Sequence, residues 1–68
     1  MKRTIEVVTL SVERPDSILT VELGKWHDAW VVLHAEDEDG IHVYLERQEI
    51  SALQMRADAG EDETGVDV

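Results

Sequence analysis

Apolar and polar residues alternate along most of the first half of the chain. Between Thr4 and Glu13, Val8, Leu10 and Val12 share one face and Thr9, Ser11 and Glu13 the other, the period-two pattern of a half-buried strand. Ile5 and Val7 are out of phase with that set, which predicts a bulge or twist near Val7 and Val8. Arg14-Pro15-Asp16-Ser17 reads as a turn, because proline presets φ and aspartate bonds nearby backbone. A second run, Ile18 to Leu23, sets Leu19, Val21 and Leu23 against Thr20 and Glu22, and Gly24-Lys25 breaks it.

The third run, from about Ala29 to Ala35, is apolar on both faces. Ala29, Val31, Leu33 and Ala35 fall on one side and Trp30, Val32 and His34 on the other, as expected of an interior strand. Glu36-Asp37-Glu38-Asp39-Gly40 is too polar to bury and reads as a hairpin tip. Ile41 to Leu45 then alternates again, with Ile41, Val43 and Leu45 opposite His42 and Tyr44. Pairing Ala35 with Ile41 and Leu33 with Val43 keeps the aliphatic residues on one face. The same parity favours an odd-length loop over Gly24–Asp28, with Leu23 opposite Ala29 and Val21 opposite Val31.

After Leu45 the period changes. Ile50, Leu53 and Ala57 follow i, i+3, i+7 among good helix formers, predicting a helix from about Arg47 to Ala57. No Ser, Thr, Asp or Asn stands at its expected cap, although Glu46 and Glu49 at the start and Arg56 at the end suit the helix dipole. A helix this short is marginal alone and is expected to pack on the sheet. Residues 59–68 carry no period and little apolar surface, so they read as a flexible acidic tail. The predicted architecture is α+β: residues 1–58 form a four-stranded antiparallel meander with one C-terminal helix packed on one face, followed by a disordered tail, 59–68.

Composition narrows the function. With 68 residues and no cysteine, the chain suits one thin-cored domain without disulfide staples or thiolate chemistry. No apolar run approaches a membrane span, so a soluble cytoplasmic protein with no membrane partner is expected. The net charge of −10 is unevenly placed. Residues 1–33 hold four basic and five acidic side chains, whereas residues 34–68 hold two and eleven. Such a field repels phosphates, disfavouring direct nucleic-acid binding, and attracts basic surfaces.

Candidate chemistry is sparse. His34 and His42 are expected as cross-strand neighbours, with Glu36 or Asp37 near enough to add oxygen, but there is no H-x-x-x-H, HExxH or cysteine. They read as a pair that makes the surface sensitive to pH, and no metal or other cofactor is expected. The acids Glu36, Asp37, Glu38 and Asp39 are contiguous rather than spaced as in an EF-hand. No serine stands in a G-x-S-x-G context, and no enzymatic activity is expected.

A surface remains. The sheet face opposite the helix is expected to carry Trp26, Trp30, His34, His42 and Tyr44, with Glu36 to Asp39 beside it, and aromatic residues of this kind anchor interfaces. The sequence therefore reads as a small acidic non-enzymatic interaction module that binds a basic protein. One form is an inhibitor presenting carboxylates in place of nucleic-acid phosphates, an analogy of size and charge with acidic accessory proteins of viruses and mobile elements. Two alternatives are an acidic structural or housekeeping subunit of a salt-loving organism, self-associating through its sheet, and a weak metal or pH sensor built on His34 and His42.

Overall fold

The computed structural model describes residues 4–60 and 63–67 and shows an α+β fold. Strand β1 (Thr4–Arg14), β2 (Ser17–Trp26) and β3 (Ala29–Glu36) form an antiparallel meander, followed by helix α1 (Arg47–Asp58) and strand β4 (Glu63–Asp67). The sheet order is β3-β2-β1-β4.

The first hairpin turns at Pro15-Asp16, closed by the Arg14·Ser17 pair, as the turn residues predict. Pairing from there to Val7·Gly24 is continuous, so the bulge expected near Val7 and Val8 is absent. Leu19, Val21 and Leu23 of β2 meet Val8, Leu10 and Ala35 in the core. Helix α1 closes this layer by burying Leu53 and Ala57, with Val12, Val32, Val43 and Leu45 at its margin.

The second hairpin departs from the sequence reading. Strand β2 continues through Gly24 and Lys25 to Trp26, and the turn is only His27-Asp28. Both residues are left-handed, with φ of 49° and 66°. That geometry matches the twist of a two-residue hairpin. Leu23 pairs with Val32 and Glu22 with His34, so Leu33 is an extra residue, a bulge. The bulge reverses parity midway along β3. Trp30 and Val32 therefore face the helix together with Ala35, while Val31 and Leu33 turn to the opposite face.

The fourth strand expected over Ile41–Leu45 does not form. Asp37 Oδ1 accepts the Asp39 and Ile41 amides at 2.9 and 3.0 Å, and Gly40, at φ 79°, completes the tip. The chain then touches β3 through a bridge, Glu36·His42, and a Val43 N–H to Ala35 C=O bond of 3.2 Å. This register is displaced by two residues from the predicted Ala35·Ile41 pairing. Past Val43 the chain leaves β3, because Glu46 must begin the helix that carries Leu53 and Ala57 over the core. Val43 and Leu45 still pack inward, as their alternation implies, whereas Ile41 is exposed.

Helix α1 lacks a Ser, Thr, Asp or Asn cap, as the sequence indicated. Instead Glu46 and Glu49 form a capping box, in which Glu49 Oε1 accepts the Glu46 N–H at 2.8 Å. The chain beyond Gly60 differs from the tail reading over Glu63–Asp67, which pairs antiparallel with β1, Ile5 opposite Val66 and Val7 opposite Thr64. Main-chain pairing on an open edge needs no apolar alternation, which is why the pattern is silent there. Residues 61, 62 and 68 of the expected tail lie outside the described residues.

Candidate functional site: the outer face of the sheet

Helix α1 covers one face of the sheet. The other, outer face has no layer over it among the described residues. On it Gly24, opposite Val7 on one side and Val31 on the other, leaves a shallow floor. Leu33 lies across that floor; a Cβ on residue 24 would stand 2.9 Å from its Cδ1. Trp26, Val31 and Leu33 are 60%, 40% and 54% exposed around it, forming one apolar patch at the turn end of β2 and β3. Toward the other end of the face the residues become polar: Thr9, Ser11, Thr20, Glu22, His34 and Glu36.

The expected site residues divide between this face and other places. Trp26 stands on it, its ring edge-to-face with His27 at 4.9 Å. Trp30 does not. It is 4% exposed in the core, with Nε1 donating to Asp58 Oδ1 at 3.0 Å and Lys25 Nζ 5.6 Å from the ring centroid. The bulge at Leu33 is the reason, since without it Trp30 would share His34's face. The predicted docking residue Trp30 is thereby corrected to a core residue.

His34 and His42 do meet, with ring centroids 4.7 Å apart and planes at 83°. Glu36 Oε1 lies 2.7 Å from His34 Nε2. Among the described residues, no group of three or more His, Cys, Asp or Glu side chains is arranged to hold a metal ion. Asp37 is committed to its own turn, and Glu38 reaches the Ile18 amide at 3.4 Å, while Asp39 is exposed. Tyr44 is 95% exposed.

A cleft of about 370 Å³ opens where the Ile41–Glu46 segment leaves β3. Its walls are Val32 to Ala35 on one side, and His42 to Leu45 with Ile50 on the other. The sequence reading missed Val31 and Leu33 as surface residues and assigned them to the core. One signal marked the place: an isolated glycine in a strand pattern, Gly24, signals a bulge or a close approach. Among the described residues no helix is long and apolar enough to cross a membrane. Compared with protein-family models, curated proteins and solved structures, the chain matches none.

Proposed function

We propose that the chain is a non-enzymatic protein-interaction module that binds a partner with a basic surface through the outer face of its sheet. The observation that carries this reading is the exposed patch of Trp26, Val31 and Leu33 on an uncovered face of a chain with net charge −10. Contiguous exposed apolar groups mark interaction surfaces, and tryptophan is a frequent anchor within them. The charge then acts at longer range. Carboxylates at the hairpin tip, Glu36, Glu38 and Asp39, raise the rate at which a basic partner arrives and disfavour acidic ones. An inhibitor that offers carboxylates where its target receives phosphates is one form of such a module.

The experiment is capture of partners from the native host by wild type, Trp26→Ala and Tyr44→Ala. A specific basic partner retained by wild type and Tyr44→Ala but lost by Trp26→Ala is the expected result. Equal capture by wild type and Trp26→Ala rules out the outer face. A wild-type chain that sediments as a dimer through that face assigns the patch to self-association instead.

A further inference from the structure

We infer that the partner contributes an extended segment, alternating basic and apolar residues, that joins the sheet as a new strand along the open edge of β3. This rests on the protein-binding reading above and specifies the form in which the partner binds.

Strand β3 is the last in its sheet on that side. The Ile41–Glu46 segment hydrogen-bonds its edge only at the far end, from Ala35 to Asp37. In an antiparallel ladder the N–H and C=O of a residue point to the same side, and the side alternates along the strand. The two-residue turn makes Trp26·Ala29 the first hydrogen-bonded pair, so Trp30 and Val32 direct their main-chain groups outward. Gln54 Nε2 accordingly reaches the Trp30 carbonyl at 2.8 Å from outside the sheet. Among the described residues the Val32 N–H donates to, and its C=O accepts from, no backbone group outside the ladder.

Between the Gln54 bond at Trp30 and the Ile41–Glu46 contacts that begin at Ala35, the edge is also undefended. Proteins usually protect such strands with lysine, proline or inward charge. Over Ala29–Glu36 the only charged side chain is Glu36, at the end already covered. A strand laid beside Val32 places one set of its side chains in the cleft against Val43, Leu45 and Ile50. Its other set extends the outer-face patch past Val31 and Leu33.

Charge decides between occupants. A second copy would bring another net charge of −10 against this edge, and residues 34–68 hold eleven acids to two bases. Like charges placed together across strands destabilise the pair, whereas lysine or arginine on the incoming strand is attracted by the acids that follow the two cleft-lining segments in the chain, Glu36 after Ala35 and Glu46 after Leu45.

The test is titration of the full ¹⁵N-labelled chain with the peptide acetyl-Lys-Val-Lys-Val-Lys-Val-Lys-amide. Saturable binding is expected, with shifted resonances along Trp30–Leu33 and slowed hydrogen exchange at the Val32 amide. The matching Glu-Val peptide should bind at least about tenfold more weakly. N-methylation of alternate peptide nitrogens, which keeps charge but blocks strand pairing, should abolish the Val32 protection. No binding at millimolar peptide, or equal binding of the N-methylated form, overturns strand addition. Shifts confined to Trp26 with Val32 exchange unchanged also overturn it, while leaving outer-face docking intact. A dimer with Val32 protected before any peptide is added assigns the edge to a second copy and overturns it as well.

Discussion

Arg14, at the end of β1, ties three parts of the fold together. Its guanidinium donates to both Glu49 oxygens, at 2.8 and 3.0 Å, and to the Tyr44 carbonyl at 2.7 Å. Hydrogen bonding to Arg14, and then to the Glu46 amide, holds the Glu49 carboxyl at about 2, below its usual 4.5. A depressed folded-state value contributes stability that is complete above the unfolded value and is lost as pH falls through the folded one. Wild type should therefore exceed Glu49→Gln in thermal stability at pH 6, and the difference should shrink steadily between pH 4.5 and pH 2. Melting both proteins across that range checks it; a constant difference would mean that Glu49 acts only by packing. In the sequence, Glu49 is legible as a helix former suited to the dipole. Its partner, 35 residues earlier, is not, because nothing local encodes which strand end will lie beside a helix start.

At the scale of elements, β3 combines what was legible with what was not. Its strand character, the acidic tip and the helix followed from alternation and period. Its facing did not, because a bulge changes which residues point inward without changing their order in the chain. The two-residue turn before it was equally hidden: His and Asp tolerate left-handed backbone better than most side chains, but His27-Asp28 is not the Asn-Gly or Asp-Gly pair that announces such a turn, and both positions still carry a backbone cost relative to that pair. Replacing them by the preferred pair, His27→Asn with Asp28→Gly, should raise unfolding free energy by ~1 kcal/mol, measured by urea denaturation. An unchanged or lower midpoint would show that the edge-to-face contact of His27 with Trp26 offsets the backbone cost.

For the whole molecule, coverage is the governing fact. A helix of 12 residues is about 18 Å long, against about 36 Å for the 11 residues of β1. One such helix buries one side of the meander and leaves the other to solvent or a partner. Exposed positions there should tolerate charge: Leu33→Lys is expected to change stability by less than about 0.5 kcal/mol while abolishing capture of a basic partner. A large loss of folding would instead place Leu33 in the core. The two tryptophans, four positions apart in sequence, lie in opposite environments because the two-residue turn sets Trp26 opposite Ala29 and Trp30 opposite Lys25, on the other face of the sheet. That gives the protein two separate optical channels. A neutral quencher such as acrylamide reaches the Trp26 indole in the free protein and loses access on docking, whereas Trp30 emission stays blue-shifted and shielded until the chain unfolds. Partner binding and loss of fold thus become distinguishable in a single cuvette, without an added label.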